Sequence, residues 1–218
     1  MSTDEMTGIQ ALERIFPTLP TGPGLVERRE FEYVRHGTQS LIANFDVATG
    51  QIVAPSIGDT RTESDFAQHI ENTVDTDPTA TWIFVTDQLN THQSETLVRL
   101  VAQRCDSSID LGLKGKSGIL KSMTTRAEFL QDPSHCLRFV YTPKHSSWLN
   151  QKVARRGAIE IWFSILVRRL LKPKVLSGRA NFTSLADLRQ RILDFIAYFN
   201  QTMAKPFKWT FTGRPLIA

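Results

Sequence analysis

The sequence predicts an α/β fold built around a β-sheet of mixed pairing. Short runs rich in β-branched and aromatic residues alternate with segments whose apolar residues recur every three to four positions, the spacing of a half-buried helix. Early extended runs are joined by a tight turn, whereas later ones are separated by helical segments, so both hairpin and crossover connections are expected. The chain has 218 residues, 41% of them hydrophobic and 22% charged, which suits one domain with a substantial core.

Each element follows from its own residues. Positions 8–32 carry Pro17, Pro20, Gly22, Pro23 and Gly24 and read as an irregular segment. Positions 32–34 and 40–45 read as extended, the latter with Leu41, Ile42 and Phe45; the turn Ala48-Thr49-Gly50 then leads into 51–54, a hairpin signal. Positions 64–74 place Phe66, Ile70 and Val74 four apart, a helix that Asp77-Pro78 ends. The run TWIFVT (81–86) reads as a buried strand, with Asp87 directly at its end. Positions 94–103 form an amphipathic helix. The Gly-, Ser- and Lys-rich stretch 106–135 is a loop or small insertion with room for a helix near 126–130. LRFVY (137–141) is another strand, closed by Pro143. A helix is predicted over 159–171 from Ile159, Trp162, Phe163, Leu166 and Leu170, stopped by Pro173. Another covers 183–199, with Thr183 or Ser184 as N-cap. Trp148, Trp162 and Phe163 read as packing aromatics. Ribonuclease-H-like folds have this order of elements, although order alone does not show function.

Composition narrows the function classes. No apolar run approaches the ~18 residues of a membrane helix, and the start shows no signal peptide, so no membrane partner is expected. The two cysteines, Cys105 and Cys136, form neither a metal-type CxxC nor a disulfide framework, and a reducing compartment such as the cytoplasm fits. Residues 1–110 hold 7 basic and 17 acidic residues, a balance of −10; residues 111–218 hold 19 and 5, a balance of +14. Such polarity fits a polyanion partner for the C-terminal half, or two halves that neutralise each other across the fold.

Three acids stand out. Asp4 lies beside Glu5, Asp87 ends the strand TWIFVT, and Glu160 opens the helix after LRFVY, being the only acid between Asp132 and Asp187. Ligands of α/β sheets bind at strand ends. Three carboxylates converging there need cations between them, and Mg²⁺ prefers such oxygen ligands. Two ions about 3.5–4 Å apart serve phosphoryl transfer. Each acid alone is otherwise an ordinary surface carboxylate or helix cap. Asn90 and His92 follow Asp87 closely, and Lys144 and His145 follow LRFVY; these four are candidates to touch phosphate or support the site.

Several stretches, taken together, resemble bacterial insertion-sequence transposases of the mariner-like superfamily, within the DDE superfamily endonucleases. They are Asp4-Glu5 with TGIQALER (7–14), EYVRHGT (32–38), DVATG (46–50), TDQLNTH (86–92), GKSGIL (115–120), FVYTPKHSSWLNQ (139–151), IEIWFSIL (159–166) and YFNQTMAKPFKW (198–209). The resemblance runs in order over nearly the whole chain. It implies a ribonuclease-H-like catalytic domain over 1–218 that cleaves transposon ends and joins the freed 3′-hydroxyl to target DNA, using two Mg²⁺ or Mn²⁺ ions. It also implies a catalytic, metal-binding triad of Asp4, Asp87 and Glu160, and action as a homodimer on DNA. Lys144, His145, Arg155, Arg156, Arg168 and Arg169 are then expected to hold phosphates, with Lys114, Lys116 and Lys121 as further candidates.

The sequence departs from the family pattern in several ways. The first strand is expected to be truncated, because only three residues precede Asp4. Gln88 replaces the usual Asn, and KVARRGA (152–158) intervenes before Glu160. As a helix, that insert would shift the acid axially by about 10 Å; as a loop it would leave Glu160 in place. Positions 172–181 exceed the family's usual turn, and the family's N-terminal helix-turn-helix region is expected to be absent. A non-catalytic DNA-binding or regulatory remnant is therefore the alternative, and a hydrolase of small phosphoesters using Asp87, His92 and His145 is a third reading.

Overall fold

A computed structural model describes residues 1–17, 19–28, 32–105, 108–142, 158–172 and 181–207. Strands β1 (Ser2–Arg14), β2 (Tyr33–Phe45) and β3 (Ile52–Gly58) are followed by helix α1 (Glu63–Val74) and strand β4 (Trp82–Thr86). A 3-10 turn (Asn90–Gln93), α2 (Glu95–Arg104), a second 3-10 turn (Ile119–Lys121), α3 (Met123–Leu130) and β5 (Leu137–Tyr141) come next. Helix α4 (Ala158–Leu166) runs into a π-helical turn (Val167–Leu171), and α5 (Leu185–Thr202) completes the described part.

The five strands lie in the order β3-β2-β1-β4-β5. The β1–β2 and β2–β3 pairs are antiparallel, while β1–β4 and β4–β5 are parallel. This is the expected mixed sheet. Side chains alternate between its faces. Leu41, Ala43 and Phe45 join the core beneath α4 and α5, where Trp162 is buried and meets Phe199 edge-on at 6.1 Å. Ile42 joins the opposite core, beneath α1, α2 and α3, with Phe84 and Phe139 stacked at 5.5 Å. Both apolar sets are those whose helical spacing the sequence displayed. Local chemistry starts the helices: Thr62 and Asp65 form a reciprocal capping box on α1, and Ser94 and Ser184 cap α2 and α5.

Strand β1 differs from expectation. Positions 8–14, read as irregular, belong to it, and it pairs with β2 from Ser2↔Phe45 to Arg14↔Tyr33. Its composition is poor for a strand. It keeps its path with two register shifts, Met6/Ile9 and Ala11/Leu12, the first accommodated by Gly8 at φ 67°. The expected shortened first strand is not seen: β1 spans 13 residues and pairs with β2 from Ser2 onward, while toward β4 its register pair among the described residues is Ser2↔Val85. That pairing is extended by Met1 N to Ile83 O at 2.7 Å and Val85 N to Met1 O at 2.8 Å. The helix predicted over 159–171 is α-helical only to Leu166. Insert positions 152–157, Trp148 and most of 172–181 lie outside the described residues.

One buried group makes the fold acid-sensitive. His69 on α1 has Nδ1 2.8 Å from Ser56 Oγ, and among the described residues its Nε2 has no hydrogen-bond partner. Burial lowers its pKa to about 3. An unfolded imidazole titrates near 6.5, so below that pH the unfolded chain takes up a proton that the folded chain refuses. The associated stability is intact above about pH 6.5 and is lost as pH falls toward 3, reaching about 2 kcal/mol by pH 5. Urea unfolding at pH 7 and pH 5 should show a larger loss for the wild type than for His69→Asn; equal losses would refute this.

Candidate active site

Asp4 and Asp87 are brought together by the sheet. Ser2 pairs with Val85 in parallel register, and each acid lies two residues further along the chain, Asp4 within β1 and Asp87 just past the end of β4. The two carboxylates therefore come to the same height, and their repulsion is felt. Burial raises the Asp4 pKa to about 7, with Glu5 and Asp87 adding to the rise and the Glu5 N–H opposing it. Asp87 is more exposed, and its pKa is lowered, first by its bond to His92 and then by the Leu89 N–H.

His92 is the hub beneath these acids. Its side chain is fully buried, and its ring lies 4.2 Å from that of Phe66. Nδ1 is 2.7 Å from Asp87 Oδ1 and 2.8 Å from Thr86 Oγ1. Nε2 is 3.0 Å from Glu5 Oε1, whose side chain is only 3% exposed. Burial alone would lower the imidazole pKa; the bonds to Asp87 and Glu5 override it and raise it to about 9. The Tyr141 hydroxyl donates to His92 O at 2.8 Å, fixing the 3-10 turn to β5. Successive β1 side chains point oppositely: Thr3 bonds Asn44 and Glu5 bonds His92 on one face, while Ser2 Oγ meets Ile159 N of α4 at 3.5 Å on the other.

The alignment leaves oxygen atoms for a ligand. Asp4 Oδ1 accepts from Glu5 N at 2.8 Å and Asp87 Oδ1 from Leu89 N at 2.9 Å. Among the described residues, neither acid's Oδ2 takes a hydrogen bond. Two hard oxygen donors held at one height, with like charges opposed, fit a divalent cation. Glu160 is exposed in the first turn of α4, one residue after the Ile159 that meets Ser2. Among the described residues, no three His, Cys, Asp or Glu groups converge into a metal-holding cluster.

The remaining candidates are spread more widely. Asn90 is exposed at the start of the 3-10 turn. Gln88, the substituted position, donates from Nε2 to Thr142 O at 2.8 Å and so ties the loop after β4 to the end of β5. Arg168 and Arg169 are exposed on the π-helical turn, and Arg168 Nε donates to Ser164 O at 3.1 Å. Arg168 also borders an open recess of about 490 Å³ whose other walls include Glu5, Met6 and Phe163. Lys114, Lys116 and Lys121 are exposed on the segment between α2 and α3. Lys144, His145, Arg155 and Arg156 lie outside the described residues. Sequence reasoning overlooked Glu5 as a partner of His92. Alternation along β1 puts Glu5 on the face opposite Asp4, but its contact with His92 lies 87 positions away in sequence, beyond any local signal.

Comparison with known proteins follows the same lines. The family model described as DDE superfamily endonuclease matches residues 3–180. The fold is similar to a solved structure described as the Mos1 mariner paired end complex with Mn, at a TM-score of 0.50 and 11% identity, covering 94% of this chain and 49% of that one. This chain thus spans about half the length of that solved chain, and the likeness at such identity is one of fold. No curated protein matches.

Proposed function

The chain belongs to the DDE superfamily endonuclease family, and on that premise we propose that it is the catalytic domain of a DNA transposase, cutting transposon DNA and joining it to target DNA. The observation that carries this reading is the alignment of Asp4 and Asp87 on neighbouring parallel strands, each with one oxygen left for a ligand. We assign Asp4, Asp87 and Glu160 as the carboxylates that hold Mg²⁺ or Mn²⁺. Bound there, two such ions supply an activated nucleophile and charge neutralisation at the phosphodiester.

The chain's own residues do the rest. His92, itself held by Glu5, fixes Asp87 through Oδ1 and leaves Oδ2 for a ligand. Arg168 and Arg169 hold DNA phosphates beside the acids, a contact that carries no sequence information and weakens with salt. Lys144, His145, Arg155 and Arg156 belong to the same proposed DNA surface. Transposon ends and target DNA are the proposed partners, and a homodimer is the proposed assembly, from the family resemblance. Among the described residues no helix is long and apolar enough to cross a membrane.

The test is nicking of supercoiled plasmid in Mg²⁺ or Mn²⁺. The wild type should nick and stop when a chelator is added, and Glu160→Ala should lose about 10²-fold or more, the scale of several kcal/mol of charge stabilisation. A folded wild-type chain that binds DNA without nicking it would sink the catalytic reading and favour the non-catalytic one. Glu160 standing outside any three-group cluster is the observation on that side.

A further inference from the structure

Cys105 and Cys136 are 31 positions apart in sequence, yet their Sγ atoms are 2.9 Å apart, closer than two unbonded sulfurs normally rest. Both backbones are anchored. Cys105 caps α2, its N–H donating to Val101 O at 3.0 Å, and the Cys136 carbonyl accepts from Trp82 N at 2.7 Å at the entry to β5. The end of a helix and the start of a strand therefore hold the two thiols together. A disulfide needs about 2.05 Å between its sulfurs, so closure asks for less than about 1 Å of movement. Cys136 is exposed and Cys105 partly so, within reach of a dissolved oxidant.

We propose that Cys105 and Cys136 form an oxidative modification site, a dithiol that a small disulfide oxidant such as oxidised glutathione converts reversibly into an intramolecular disulfide. The exposed Cys136 thiolate attacks one sulfur of the oxidant, forming a mixed disulfide and releasing one glutathione thiolate. The Cys105 thiolate then attacks Cys136 Sγ, forming the protein disulfide and releasing the second. Two cysteine thiols are oxidised, one glutathione disulfide is reduced, and the two cysteine protons pass to the released thiolates. The pair sits at the entry of β4 and β5. Asp87 follows the far end of β4, about 16 Å along a five-residue strand. The bridge ties down the segment between the cysteines and leaves the acids alone, so it stands or falls independently of the proposed nuclease activity.

The test incubates the full chain with oxidised glutathione, alkylates remaining thiols, and maps peptides without reduction while following thermal unfolding. The expected product is a monomer with a Cys105–Cys136 cross-link and a Tm raised by roughly 5–10 °C, reversed by dithiothreitol and absent in Cys136→Ser. Cys105→Ser should stop at the glutathione adduct on Cys136. The proposal is overturned if the wild type also stops at that adduct with Cys105 still alkylatable, if it cross-links between molecules, or if the bridged form melts below the reduced one.

Discussion

Asp87→Ala should abolish metal-dependent nicking, by about 10³-fold or more, while leaving the fold and DNA binding in place. Asp87 is more than half exposed at the end of β4, so its removal leaves no buried cavity. What disappears is one of the two aligned carboxylates and one partner of His92 Nδ1, which keeps Thr86 Oγ1 at 2.8 Å. Losing several kcal/mol of charge stabilisation at the phosphodiester corresponds to that factor. Nicking rates under single-turnover conditions, with circular dichroism and a DNA-binding isotherm on the same sample, measure it. A variant that nicks at near wild-type rate would remove Asp87 from the metal set. Asp87→Asn adds resolution: it keeps an oxygen for His92 and loses the charge, so it should fall almost as far if charge is what matters.

His92→Ala should act on stability as strongly as Asp87→Ala acts on rate. The imidazole bridges a buried carboxyl group and a partly exposed one. Deleting it leaves Glu5 inside the sheet–helix interface without its partner and empties the space against Phe66. Breaking a buried pair by removing one member costs about 3–5 kcal/mol. Urea unfolding should show this, and the double variant with Glu5→Gln should recover part of it, because the orphaned group is then neutral. Strict additivity of the two changes would show that Glu5 and His92 are not coupled.

The parts legible in the sequence were those whose local pattern and tertiary role agree. TWIFVT and LRFVY became β4 and β5 because β-branched and aromatic runs favour strands, although the strands bury one face only and leave Ile83, Val85 and Val140 exposed. The α1 helix, with its four-residue apolar spacing, was equally plain. Strand β1 was not, since Asp4, Glu5 and Gly8 argue against a strand locally and only its neighbours hold it there. The same residues bring functional groups to both faces, so the least readable strand carries the most chemistry. Asp87 was visible from its place at a strand end, and the family resemblance supplied Asp4. Glu5 and the Cys105–Cys136 proximity depend on pairings across the fold that no local window contains.

The seam between β1 and β4 has a kinetic consequence. Strands β1 to β3 fold as a meander of short-range pairings, whereas Ser2 must find Val85 across more than eighty residues of intervening chain. Closing so long a loop is entropically slow and is rewarded by a single register pair and its flanking bonds. The meeting of Asp4 and Asp87 is therefore expected among the last events of folding. A chain with its hairpins and helices already formed would still lack the aligned carboxylates, so cleavage competence should appear in refolding after secondary structure has returned.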